Sequence, residues 1–337
     1  MKKILALVLA LAMVLAATAA LADGIKVGII NLDPSESGYR EANVKKNAEV
    51  FSTENGYDPI FITATDVQKQ VEAINTFVNE QVDYILISAA NDEGYDEALE
   101  AAKTAGVKVI LFDRMIACDA DLYEAAVVSD MRLEGETAVK WLESLELDEY
   151  KVLHIQGQLG SAAQKGRSEP LQEKCEADEK WTMVREGTGG DKWDPNEART
   201  IAEAAINAGE DFNIVYAEND GMAAGVVAAL DKAGIEHGVG KKVIVMGFDC
   251  NKWALKRLLD QEWNYDGQCN PFVAPVIDEM IKKIEAGESI ADMLNDQKQY
   301  ISVEVGFDAR TITQEDIDTY GLGKIDEGAP VFEEAAE

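Results

Sequence analysis

From residue 25 onward, short apolar runs alternate with longer stretches whose apolar residues recur at helical spacing. Residues 25–30, 59–63, 84–88 and 107–112 read as strands, with helices predicted over 39–55, from Asp66 onward, and over 95–105. Asp66 is placed to cap the second helix, whose Val67, Val71, Ile74 and Val78 share a face, while Gly56 and Gly106 stop the first and third. Nearly continuous apolar strands are those a parallel sheet buries on both faces. Strands alternating with helices at this rhythm predict a doubly wound parallel sheet.

The rhythm restarts near residue 129. Helices are expected over 133–145, near 167–177, and over 196–208 and 221–233, with strands over 151–156, 181–186, 214–217 and 243–247. A further helix (253–259), strand (264–269), helix (273–285) and strand (300–305) follow before the chain turns polar and acidic. These are too few for a third unit. The expected fold class is therefore α/β, with two doubly wound parallel-sheet lobes joined by a three-strand hinge. The boundaries are 23–129 plus 270–300 for the first lobe, 130–269 plus 301–325 for the second, and an acidic tail at 326–337. Several crossings between lobes make a hinge, and hinge closure around a ligand is an established kind of motion.

Residues 1–22 have another pattern: Lys2 and Lys3, an apolar run over 4–17, then Ala20-Leu21-Ala22. That is the form of a cleavable secretory signal, an uncleaved anchor being the alternative. No cysteine follows the apolar run, which argues against a lipidated N-terminus. The 337 residues suffice for two domains, and their net charge of −32 argues against nucleic acid or an anionic membrane as partner. Four cysteines, Cys118, Cys175, Cys250 and Cys269, match no zinc spacing. A Cys250–Cys269 bridge is expected because both end strands near the cleft; buried free thiols are the competing reading.

Candidate chemistry is sparse in catalysts. Only His154 and His237 are available to a histidine-based site, and Gly157-Gln158-Leu159-Gly160 lacks the spacing of a nucleotide-binding loop. Polar groups do recur at strand ends: Asp113 and Arg114, Asn219 and Asp220, Asp249, and Gln268. Carboxylate, amide and guanidinium groups each address two hydroxyls at once, and Tyr39 and Trp193 offer faces for the C–H side of a sugar ring. Taken singly, such residues merely cap helices. Six at matching positions in two lobes point to a polyhydroxylated ligand.

V-I-L-F-D-R (109–114), G-S-A-A-Q-K-G-R (160–167), Y-A-E-N-D-G-M-A-A-G (216–225) and V-M-G-F-D (245–249) resemble, in order, the motifs of type I periplasmic sugar-binding proteins of ABC importers, the ribose and galactose group. S-E-S-G-Y-R (35–40) is similar to the galactofuranose-binding branch. The resemblance implies a ligand set of Tyr39, Arg40, Asp113, Arg114, Arg167, Trp193, Asn219 and Asp249, with Gln268 near the third hinge strand and Asn91 and Asp92 as further hydroxyl partners. It implies a monomer in the periplasm with a monosaccharide ligand and an inner-membrane ABC permease as partners, and no cofactor, metal or enzymatic activity.

Two other readings share some of these features. The effector core of a LacI-type sugar-responsive regulator has this fold but would need a DNA-binding helical module where the chain has a leader. A sugar-modifying enzyme would use Asp113 and Asp249 as its carboxylate pair; Arg114 and Arg167 are expected to hold both acids ionised.

Overall fold

The computed structural model describes residues 24–332, so the expected leader over 1–22 and the end of the acidic tail lie outside the described residues. In the first lobe β1 (Ile25–Asn31), β2 (Tyr57–Thr63), β3 (Tyr84–Ile87), β4 (Lys108–Asp113), β5 (Ala125–Val128) and β11 (Gln299–Ile301) pair in the order β11-β5-β4-β3-β1-β2, all parallel. In the second, β6 (Tyr150–Gln156), β7 (Trp181–Thr188), β8 (Ile214–Ala217), β9 (Ile244–Phe248), β10 (Tyr265–Gly267) and β12 (Gly306–Asp308) take the order β12-β10-β9-β8-β6-β7. Only the β10–β12 pairing is antiparallel. Each sheet reverses its winding beside its first strand, and ligands of such sheets sit beyond the strand ends at that switch point.

Ten helices cover the sheets among the described residues: α1 (Gly38–Val50), α2 (Val67–Asn79), α3 (Asp96–Ala105), α4 (Met131–Glu143), α5 (Ala162–Ala177), α6 (Pro195–Asn207), α7 (Asp220–Lys232), α8 (Lys252–Leu259), α9 (Ala274–Glu285) and α10 (Gln314–Tyr320). Asp66 caps α2 as expected, accepting from the Lys69 amide at 2.8 Å. The buried face of α2, however, is Gln70, Ala73, Ile74 and Phe77, with Val67, Val71 and Val78 only partly covered. Gln70 tolerates burial because its amide donates to the carbonyls of Ala64 and Ser88 and accepts from the Ala90 amide and the Tyr95 hydroxyl. Gly28 in β1 admits this helix, since a Cβ there would lie 2.4 Å from the Phe77 ring.

The chain passes between lobes three times: from β5 to α4, from β10 to α9, and from β11 to β12. This last crossing corrects the expected strand at 300–305. One sheet's ladder ends at Ile301 and the other's begins at Gly306, leaving Val303 89% exposed between them. The first helix likewise ends at Val50, and a separate 3-10 turn covers Thr53–Asn55.

The expected Cys250–Cys269 bridge does not form, and all four thiols are free. The Cys250 thiol is directed at Asp266 Oδ1 (3.7 Å) and that of Cys269 at Ser129 Oγ (3.6 Å). The two side chains serve different neighbours.

Candidate ligand-binding site

Side chains from the carboxyl ends of both sheets line one cavity with about 290 Å³ of empty space.

On the first-lobe wall, Asp113 ends β4 and Tyr39 and Arg40 open α1, whose N-cap is the Ser37 hydroxyl. Asp113 Oδ2 accepts from the Ser88 hydroxyl (2.6 Å) and pairs with Arg40 Nη2 (2.7 Å), while Oδ1 accepts from the Tyr39 hydroxyl (2.8 Å). Burial alone would raise the Asp113 pKa, but Arg40 and Arg114 outweigh it and hold the carboxyl below its ordinary value. Arg114 donates to Glu36 Oε1 at 3.1 Å and reaches the second lobe at Gln158 Oε1 (3.4 Å).

On the opposite wall, Arg167 of α5 donates from Nε to Glu134 Oε2 (2.7 Å), from Nη1 to the Glu218 carbonyl and from Nη2 to Asp249 Oδ1 (3.3 Å). Asp249 follows β9 with a φ of 102°, and Asp113 has a φ of 67°. Left-handed backbone is uncommon for aspartate, yet both strand-end acids adopt it and both meet an arginine. Asp249 departs from the expectation of a firmly ionised acid. Burial and the nearby Glu134 raise its pKa to about 7 despite Arg167. Asn219 spends its side-chain oxygen capping α7, accepting from the Met222 amide at 2.8 Å.

Trp193 closes the cavity. Its ring lies 6.0 Å from the Arg114 guanidinium and 5.9 Å from that of Arg167, so cations from both lobes flank one aromatic. A Cβ at Gly157 would meet the ring at 2.1 Å, which explains the glycine at that point of the loop after β6. The buried indole Nε1 has no partner among the described residues and is a donor available to a ligand.

A cleft of this form between two doubly wound lobes matches a known family: the periplasmic binding protein domain model covers residues 16–273. The chain belongs to this family. It is 28% identical to the fructose import binding protein of Bifidobacterium longum over 272 residues, 78% of this chain and 80% of the relative. It is 29% identical to the galactofuranose-binding protein of Escherichia coli over 273 residues, 78% and 83% of the two chains. Among solved structures, a galactofuranose-binding protein superimposes with a TM-score of 0.77 at 25% identity, covering 88% of this chain and 98% of the other. A Mycobacterium smegmatis protein in complex with β-D-fucofuranose does so with 0.76 at 25% identity, covering 85% and 92%. These curated relatives are binding proteins and not enzymes, so the carboxylate-pair reading falls away. They also lend no support to the regulator.

Eight of the residues singled out in the sequence line the cavity: Tyr39, Arg40, Asp113, Arg114, Arg167, Trp193, Asn219 and Asp249. Three do not. Gln268 faces the back of the hinge, where its side-chain oxygen accepts from the Val305 amide at 3.3 Å. Asn91 turns its oxygen to the Asp92 amide (2.7 Å), and Asp92 pairs across the cleft with Lys165 of α5 at 2.6 Å. Asp92 is thus positioned as a latch between lobes. Because the pair is partly exposed, Asp92→Asn is expected to weaken ligand affinity by only about 0.5 kcal/mol, chiefly through faster release. Stopped-flow dissociation at low and high salt measures this, and an unchanged off-rate would remove the latch.

Glu36, Ser88 and Glu134 were missed, although each touches an arginine or aspartate of the site. Glu36 lies one turn before Arg40 in the S-E-S-G-Y-R motif, the one signal that marks it; Ser88 and Glu134 carry none.

Proposed function

We propose that this chain is the exported substrate-binding subunit of an ABC-type sugar importer. It captures a monosaccharide, in furanose form, between its lobes and presents it as a monomer to an inner-membrane permease from the periplasm. The observation that carries this reading is the paired arrangement of Asp113–Arg40 and Asp249–Arg167 on opposite walls, with Trp193 between the walls. Each ion pair keeps hydroxyl-binding oxygens and N–H groups in fixed directions, and the aromatic face suits a ring's C–H side. No cofactor or metal is needed, because capture involves no bond-making.

The names of the relatives support the furanose: galactofuranose and β-D-fucofuranose appear among them, with fructose and ribose. A sugar touching both walls binds the closed form better than the open one, and the closure it drives cannot exceed that difference in affinity.

Calorimetric titration of protein stripped of ligand by unfolding and refolding tests the reading. The panel is D-galactose, D-fucose, L-arabinose, D-ribose, D-fructose, D-glucose and D-galacturonate. One-to-one binding is expected for a sugar with an accessible furanose form, without turnover. Silence toward every neutral sugar, or binding of D-galacturonate alone, would reject the neutral-monosaccharide reading.

A further inference from the structure

Behind the ligand cavity, all three crossings meet at one cluster of side chains. The first contributes Ser129, the second Cys269 and Asn270, and the third Glu304, while α4 adds Glu134. Oxygens of Glu134 and Glu304 and the sulfur of Cys269 lie within 4.8 Å of one another. Glu304 Oε1 accepts from the Ser129 hydroxyl and, at 2.6 Å, from the Asn270 amide, so this one carboxylate oxygen ties the third crossing to the other two. Glu134 is 6% exposed, and its Oε1 has no donor to accept from although it is fully enclosed. A second cavity, with about 330 Å³ of empty space, reaches both glutamates from the back of the hinge.

Two carboxylates this close and this poorly hydrated do not both ionise. We propose that Glu134 and Glu304 share one proton across the hinge, and that losing this proton weakens both the fold and the closed, ligand-holding form. The shared proton supplies the donor that Glu134 Oε1 lacks. Its other Oε then remains free to hold Arg167, which in turn holds Asp249 in the ligand cavity. The pair is thus a positioning device for the second-lobe wall. The groups facing it are Arg167 of α5, Asp249 after β9, Cys269 of the second crossing, and the phenols of Tyr216 and Tyr265. Of these only Arg167 favours the doubly ionised form, together with the Ser129 hydroxyl and Asn270 amide that donate to Glu304, and burial outweighs them.

Burial raises the pKa of both glutamates above the ordinary value. A carboxyl whose pKa is higher folded than unfolded binds more protons in the folded state. Stability therefore falls as pH rises from the unfolded value, near 4.5, through the folded one. Opening the cleft lets water reach Cys269 and Arg167, which line the ligand cavity, and so eases the second charge. Closure accordingly raises the pair's pKa. Affinity falls about tenfold for each unit by which closure raises it.

Glu304→Gln tests this, because the amide oxygen still accepts from Ser129 and Asn270 while the NH2 donates permanently to Glu134. Unfolding midpoints are measured between about pH 5 and pH 9. The wild type is expected to lose stability as pH rises, and the variant to lose less. Parallel curves would overturn the proposal. Asp220 and Asp266 titrate in both proteins and cancel in the difference, while Asp249, which feels the charge on Glu134, is removed from it by repeating the comparison in an Asp249→Asn background. Should the variant not fold, calorimetry of ligand binding in two buffers of unlike ionisation enthalpy decides, run on wild type and on Asp249→Asn because Asp249 also titrates near 7: proton uptake at pH 7 to 8 by both supports the pair, and its absence from either overturns it. The affinity arm rests on the sugar-binding reading, whereas the unfolding arm does not, so a silent sugar panel leaves the unfolding test standing. Stoichiometric Zn2+ binding by chelator-treated wild type, absent in Glu304→Gln, would replace the shared proton with a cation.

Discussion

Asp113→Ala is expected to lower ligand affinity by about 3 kcal/mol or more, beyond 100-fold. The carboxylate accepts from Tyr39 and Ser88 and neutralises Arg40, which is 1% exposed. Truncation leaves a buried guanidinium with only Glu36, 3.8 Å away, as counter-charge and two hydroxyls without their acceptor, and the wall facing the sugar loses its fixed geometry. Asp113→Asn retains the shape and one acceptor, so its loss is expected to be smaller. Calorimetry on both variants, with circular dichroism to verify folding, measures the difference. Wild-type affinity in a folded Asp113→Ala protein would place the ligand elsewhere.

The second large effect is expected at Arg167. Its fork reaches Glu134, the Glu218 carbonyl and Asp249, and its plane lies 4.8 Å from the Phe248 ring. Arg167→Ala strands two buried carboxyls, and breaking a buried pair in this way destabilises by about 3–5 kcal/mol. Both the unfolding midpoint and the affinity are therefore expected to drop. In the variant Asp249 and Glu134 are both expected to be protonated at neutral pH, since the single cation that favours their charge is gone. Arg167→Lys is not expected to rescue, because one ammonium cannot span three acceptors set in a plane. A lysine variant with wild-type stability and affinity would show that charge alone, and not the fork, matters here.

The first effect arises at a strand-end acid and the second at the α5 arginine that meets another, and the strand-end acids were the legible part of the site. An apolar run that stops at an acid, as in V-I-L-F-D-R or V-M-G-F-D, places that acid at the rim of a parallel sheet whatever else the chain does. Trp193 and Arg40 were legible through motif order. Glu134 was not: it lies in an ordinary amphipathic helix, and its partners, Arg167 of α5 and Glu304, 170 positions later in the sequence, reach it only in the folded chain.

The sequence by itself determined the type and order of most elements, the parallel winding and the two-lobed organisation, but not α10, the split of 300–305 into β11 and β12, or the antiparallel β12 edge. What it determined follows from local periodicity, turn residues and caps, which act over a few positions. Only the tertiary structure decided which polar groups meet. Asp92 became a latch to Lys165 and Gln268 a prop for Val305, while Cys250 and Cys269 stayed apart, because each outcome depends on the angle between lobes and the path of three crossings. Those are set by the packing of surfaces remote in the chain, and no window along the sequence contains both partners.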